Sequence, residues 1–324
     1  MGLRILSGIQ PSGKLHLGNY FGALKQYLEL QQLPEAEPFY FIADFHAMTT
    51  VQDAAQMRQH VLDAALDFLA LGVDTKKSVF FRQSDVPEVT ELAWMLGCVT
   101  GMGLLERAHS YKDKSAKGIK PSVGLFTYPV LMAADILIYR PRLVPVGQDQ
   151  VQHVEMTQDM AQYFNRTYRC EVFVRPEPKL NATPKVPGTD GEKMSKSYGN
   201  TIELQLGGKA LRKLVMSIKT DSTPVEQPKN PEACNVFALY SLFATEAERE
   251  ELAARYRAGG MGYGVAKTAL LEKIEAYFEP YRRKREDLGR NLDYVRQVLR
   301  DGGERARAVA RQTLDDAKKA AGLL

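Results

Sequence analysis

Ser7-Gly8-Ile9-Gln10-Pro11-Ser12-Gly13-Lys14-Leu15-His16-Leu17-Gly18-Asn19 joins a short apolar strand, residues 3–9, to an amphipathic helix over 18–32 that carries Tyr20, Phe21, Leu24, Tyr27 and Leu28 at helical spacing. Gly8, Gly13 and Gly18 allow close backbone approach at the turn, and Ser12, His16 and Asn19 offer polar groups. The free N–H groups of the following helix point at whatever lies in front, so the joint has the makings of a phosphate site. By itself Pro-Ser-Gly is also ordinary turn chemistry.

The alternation continues downstream. Phe39-Tyr40-Phe41-Ile42-Ala43 is a wholly apolar run suited to the middle of a parallel sheet, and it ends in Asp44-Phe45-His46. Asp53 with Gln56 resembles a capping box that opens a helix to about Leu71. Val79-Phe80-Phe81 follows as a strand ending at Arg82-Gln83-Ser84. Strand and helix in turn predict a parallel sheet with right-handed crossovers that collects ligands at its C-terminal strand ends, where Gln10, Asp44, His46 and Gln83 fall. Residues 87–118 read as a helical insertion ending in Ser110-Tyr111-Lys112-Asp113-Lys114-Ser115. A helix bearing Tyr128, Met132 and Asp135 comes next, then a strand at Leu143-Val144-Pro145-Val146 and a helix opened by Gly147-Gln148-Asp149-Gln150. Prolines 176, 178, 184 and 187 mark an irregular connection from Pro176 to Gly191. Beyond it the pattern is helical, at about 207–218, 233–243, 245–258 with Thr245 and Glu248 as a capping box, 264–287, and on to 321.

Composition agrees with a folded chain of more than one domain: 324 residues, 44% hydrophobic and 25% charged. No apolar run approaches the roughly 20 residues needed to cross a bilayer, and no signal segment opens the chain, so no membrane association and a cytoplasmic location are expected. Cys98, Cys170 and Cys234 are widely spaced and form no Cys-x-x-Cys pair, which reads as buried thiols without a metal site. The net charge of +4 is uneven, residues 280–324 carrying 12 Lys/Arg against 7 Asp/Glu. That basic end fits either attraction to a polyanion or the solvated face of a long helix.

A second stretch, Lys193-Met194-Ser195-Lys196-Ser197, followed by a flexible Tyr198-Gly199-Asn200, changes the weight of the first. His16-Leu17-Gly18-Asn19 resembles the HIGH motif, and Lys193–Ser197 the KMSKS loop, of class I aminoacyl-tRNA synthetases. Gly8-Ile9-Gln10-Pro11-Ser12-Gly13 and Met132-Ala133-Ala134-Asp135-Ile136-Leu137 resemble the tryptophan branch of that family over essentially the whole chain. Asn19 replaces the final HIGH histidine, as is common in that branch.

The resemblance implies an α/β fold, a Rossmann-type parallel-sheet catalytic domain with a C-terminal all-helical domain. The expected divisions are a catalytic domain at 1–190, the KMSKS loop and linker at 191–204, an anticodon-binding domain at 205–290 and C-terminal helices at 291–324 packing back on the catalytic domain. It implies ATP as substrate with Mg2+ and no protein-built metal site, tRNA(Trp) and L-tryptophan as partners, and a homodimer. His16, Lys193, Lys196 and Lys114 are the implied catalytic groups. Gln10, Ser12, Gly18, Asn19, Gly147, Asp149, Val186, Met194 and Ser195, with Lys193 and Lys196, are the implied ATP contacts. Asp135, Met132, Tyr128, Gln150, Val144, His46 and Gly8 are the implied tryptophan contacts.

Asp135 also stands out from its surroundings: a carboxylate in so apolar a run is either partnered or on a cavity wall, since an unpaired buried charge is costly. The residues alone favour a helix cap or an internal salt bridge, whereas the resemblance makes an indole N–H its partner. For reading single-stranded tRNA bases, Tyr256, Tyr263, Tyr277, Tyr281 and Arg282 are available. Three other readings stand beside this one. The tyrosine branch usually has Asp-Pro-Thr and a final His where this chain has Gln10-Pro11-Ser12 and Asn19. A small nucleotidyltransferase would lack the Lys193 loop and the helical half. A non-catalytic paralogue is opposed by the intact His16, Lys193 and Lys196.

Overall fold

Runs of apolar residues with no polar alternation can be buried only where both faces of a strand are covered, and the central strands show this. β1 (Leu3–Ile9), β2 (Ala36–Ile42), β3 (Val79–Arg82), β4 (Leu143–Val146) and β5 (Glu177–Leu180) form one parallel sheet in the order β3-β2-β1-β4-β5. β1 and β2 pair from Leu3↔Ala36 to Ile9↔Ile42, and Phe39 to Ile42 are all buried. The order reverses between β1 and β4, so the turns leaving these two strands diverge and open a crevice at their C-terminal ends. The computed structural model describes residues 2–108, 122–180 and 185–324.

β5 corrects the expectation of an irregular connection from Pro176 onward. Pro178 lies inside it, opposite Val144. A proline has no N–H to give to a neighbouring strand, and it is tolerated here because, among the described residues, β5 is an edge strand with β4 on one side and no strand on the other.

Two compact units make up the chain: Met1–Gly13 with Gln26–Asn181 and Leu288–Leu324, and Lys14–Lys25 with Ala182–Asp287. The first contains the sheet. Its helices include Ala54–Leu71, opened by Asp53, whose Oδ1 accepts from Gln56 N at 2.7 Å, and closed by left-handed Gly72 at φ 109°. Val123–Leu137 is capped by Ser122 and contains Pro129. The long Leu292–Ala320 helix also belongs to this unit, burying Leu299, Ala306, Ala310, Leu314 and Ala317. Arg307 and Arg311 bring their Nε atoms to 2.7 and 3.0 Å from Oε1 of the buried Glu88, lowering its pKa against the opposing effect of burial.

The second unit is helical apart from a short hairpin. Gly208–Met216, Asn235–Ser241, Glu246–Ala258 and Tyr263–Gly289 are its main helices. Thr245 and Glu248 form the reciprocal capping box, with Lys273 Nζ 2.6 Å from Glu248. Several residues expected to be available for RNA are structural instead. Tyr256 and Tyr281 are buried, Tyr263 donates to Asp221 at 2.7 Å, and Arg282 donates to the carbonyls of Leu206 and Glu275 at 3.2 and 2.9 Å. Helical spacing alone does not separate a core aromatic from a stacking one. Tyr277 is exposed, although its hydroxyl lies 2.8 Å from that of Tyr20. Cys98 is likewise exposed, unlike the buried thiol expected, whereas Cys234 is buried. Among the described residues no helix is long and apolar enough to cross a membrane.

Gly302 is the tightest point of the sheet-bearing unit, because a Cβ there would lie 1.8 Å from the Phe80 carbonyl oxygen of β3. Gly302→Ala is therefore expected to lower unfolding stability by about 3 kcal/mol in urea or thermal melts. Gly97→Ala, at a helical glycine with nothing within 4 Å, should be neutral or slightly stabilising. Equal effects at the two positions would contradict the close-approach argument.

Candidate active site

The sheet-bearing unit gathers one set of the expected residues around Asp135. The Val123–Leu137 helix places Tyr128, Met132 and Asp135 three and four residues apart, hence on one face. Asp135 is 2% exposed, and its Oδ2 lies 2.9 Å from His46 Nε2. Burial pushes its carboxyl above the usual range, while the hydrogen bonds from His46 and Gln83 pull it down. The Tyr128 hydroxyl meets His153 Nε2 at 2.5 Å, and its ring stands edge-on to His46 with centroids 6.1 Å apart. Met132 packs on the apolar cluster that includes Phe41, Ala133 and the buried Val144.

Gly8 is needed by packing, since a Cβ there would lie 2.5 Å from the Phe41 ring. Gln10 donates weakly to the His46 carbonyl at 3.4 Å and to Thr50 Oγ1 at 3.3 Å, and Ser12 is exposed in the turn after β1. After β4, Gly147 opens the short turn Gln148–Gln150, where Gln150 Nε2 donates to Asp149 Oδ2 at 3.0 Å. Asp149 is exposed. Lys114 lies outside the described residues.

Gln83 was not among the expected contacts, and it is 1% exposed beside Asp135. Its only sequence signal was its position just beyond a strand end. Asp44 ties the same two strand ends together: its Oδ1 accepts from Ser84 N at 3.0 Å and Phe45 N at 3.1 Å, and its Oδ2 takes the Ser84 hydroxyl.

The second unit gathers the other set. His16 is 6% exposed, its N–H donates to Asn19 Oδ1 at 3.1 Å, and its Nδ1 has no hydrogen-bond partner among the described residues. A Cβ on Gly18 would stand 2.9 Å from that nitrogen. Gly18 N donates to the buried Met194 sulfur at 3.4 Å, so the turn before the first helix and the Lys193 loop touch through main chain and thioether. Burial, and secondly the Lys196 charge, lower the His16 pKa to about 4.

The loop itself is a hairpin. Met194 N donates to Val186 O at 2.9 Å, Gly188 N donates to Glu192 O at 2.7 Å, and Gly191 takes φ 96°. Lys193, Lys196 and Ser197 are exposed and Ser195 half-buried. Asn200, expected to be flexible, is 2% exposed and clasps the loop: its Oδ1 accepts from Ser195 N at 2.8 Å, and its Nδ2 donates to Asp190 Oδ1 at 2.8 Å and Lys193 O at 3.2 Å. Gly199, at φ 65°, turns the chain back so that Asn200 faces inward.

A family model for tRNA synthetases class I (W and Y) matches residues 2–279. A tryptophan–tRNA ligase of Rhodopirellula baltica is 55% identical over 322 residues, covering 99% of this chain and 100% of that one. A tryptophan–tRNA ligase of Fusobacterium nucleatum is 53% identical, covering 99% and 98%. The crystal structure of tryptophanyl-tRNA synthetase from Campylobacter jejuni complexed with ADP and tryptophan is 50% identical, with a TM-score of 0.92 and coverage of 99% and 100%.

The lowered pKa of His16 means that the unfolded chain takes up this proton first as pH falls. Stability from the neutral imidazole is thus complete above 6.5 and lost toward about 4. NMR titration should place the His16 midpoint near 4, and Lys196→Ala should raise it. A midpoint at the ordinary 6.5 would contradict the burial argument.

Proposed function

From its membership of the class I tRNA synthetases of the tryptophan and tyrosine type, to which this chain belongs, we infer a tryptophan–tRNA ligase. It activates L-tryptophan with ATP to tryptophanyl-adenylate and pyrophosphate, then transfers tryptophan to the 3′ end of tRNA(Trp). The observation that carries the choice of amino acid is the buried Asp135 carboxylate on the face shared with Tyr128 and Met132. Asp135 accepts the indole N–H, Met132 and Val144 pack on the ring, and Tyr128, Gln150 and His46 serve the amino and carboxyl end. A site that satisfies a polar substrate atom rejects analogues lacking that atom far better than an apolar pocket counts methylenes.

In the first step the tryptophan carboxylate attacks the α-phosphorus of ATP, and the bond to the bridging oxygen breaks as pyrophosphate leaves. The nucleophile is already an anion, so no general base is required. Rate comes from positioning and from donors aimed at the phosphate charge. Lys193 and Lys196 supply cationic donors to the leaving pyrophosphate, and Lys114 adds a third. His16, neutral above about pH 4, donates an N–H without adding charge. Gln10, Ser12, Gly18 and Asn19 serve the triphosphate, Val186, Met194 and Ser195 the adenine side, and Gly147 and Asp149 the ribose. Asn200 holds the loop that carries both lysines.

Among the described residues no group of three or more His, Cys, Asp or Glu is placed to hold a metal ion. Mg2+ would arrive on the nucleotide, with phosphate oxygens and water as its ligands. It would neutralise part of the phosphate charge. In the second step a ribose hydroxyl of tRNA attacks the tryptophanyl carbonyl and AMP leaves. The family resemblance also implies a homodimer. Sedimentation at twice the 36.3 kDa chain mass would bear this out, and a single chain would refute it.

ATP–pyrophosphate exchange with each amino acid in turn tests the reading: tryptophan alone should support it, and exchange with tyrosine or with none would overturn it. Lys196→Ala should lower that rate by about 100-fold or more while tryptophan affinity stays near wild type. An unchanged rate would remove Lys196 from the mechanism.

A further inference from the structure

Gln83 is held from one side and donates on the other. Its Oε1 accepts from Phe45 N at 3.0 Å and, more weakly, from His46 N at 3.4 Å, and its Nε2 lies 2.8 Å from both oxygens of Asp135. An amide side chain has an oxygen face and an NH2 face of nearly equal size, so the network around it decides which way it points. Turning Gln83 over would set its NH2 against two backbone N–H groups and its oxygen against a carboxylate. Both contacts would be lost in a site with almost no access to water. The Asp44–Ser84 clasp fixes the two strand ends that supply these donors.

We propose that Gln83 is the positioning residue for indole selection: locked by the Phe45 and His46 N–H groups, it shows Asp135 only donors and so keeps that carboxylate an acceptor for a ring N–H. The proposal rests on the reading of Asp135 as the indole partner. Burial alone drives Asp135 toward its neutral form, and the bonds from His46 and Gln83 oppose that drift. The titratable groups that face Asp135 are His46, in direct contact, and Asp44 and Tyr139, through their charge. Without the Gln83 donors the carboxyl is free to protonate or turn, and a ring with N–H loses its advantage over one without.

The test compares exchange kinetics for L-tryptophan and for the benzothiophene analogue, in which sulfur replaces the ring N–H, in wild type and Gln83→Met. The variant should raise KM for tryptophan by about tenfold or more and KM for the analogue by less than about threefold, with kcat for both nearly unchanged. The ratio of the two KM values therefore collapses. A purely structural role would move both substrates together, and an unchanged ratio overturns the proposal.

Gln83→Glu gives an independent arm, because it keeps the size and the oxygen that accepts from Phe45 and His46. Facing Asp135, its second oxygen must share a proton, so KM for tryptophan should climb between about pH 6 and pH 9 relative to wild type while KM for the analogue does not. A wild-type-like pH profile overturns the proposal even where Gln83→Met fails to fold. If wild type itself shows no preference for tryptophan over the analogue, the Asp135 reading fails first and takes the proposal with it.

Discussion

A carboxylate at 2% exposure inside an apolar helix face is the constraint on which the sheet-bearing unit depends. The effective cost of desolvating such a charge is several kcal/mol, and it is tolerated only where hydrogen bonds replace water. Here the replacements come from two strand ends: His46 just after β2 and Gln83 just after β3. Those ends are in turn held by Asp44 and Ser84. Parallel strands bring their C-terminal ends to one edge of the sheet, so groups far apart in the chain meet there without long loops. The α/β architecture is what makes a satisfied buried acceptor possible.

The second unit handles charge in the opposite manner. Lys193 and Lys196 stand exposed on a hairpin whose buried members are Val186, Met194 and Asn200. Exposed ammonium groups remain hydrated, whereas burial and the neighbouring Lys196 charge hold His16 to a pKa of about 4. The first unit therefore buries its carboxylate among hydrogen bonds, and the second leaves Lys193 and Lys196 exposed on a hairpin clasped by Asn200.

Much of this was legible in the chain. The apolar runs at β1, β2, β3 and β4 and the intervening helical periods lead directly to a parallel sheet, and Asp135 stands out because nothing else in its run is charged. Pro178 hid β5, since a proline argues against a strand until the strand is known to be an edge. Gln83 was visible only as a strand-end residue: its bond to Asp135 spans 52 positions, and no local pattern encodes such a pairing. Asn200 read as flexible beside Gly199, yet the left-handed glycine is what turns its amide into the loop. Tyr256 and Tyr281 show the converse limit, because an aromatic at helical spacing looks the same whether it faces solvent or core.

The most direct measurement is the NMR signal of the indole N–H in tryptophan labelled with 15N at the ring nitrogen and bound to the protein. Acceptance by a buried carboxylate predicts a proton resonance shifted well downfield of the free amino acid and slow to exchange with water, with both features lost in Asp135→Ala. A bound indole N–H that resonates and exchanges like that of free tryptophan would contradict the account.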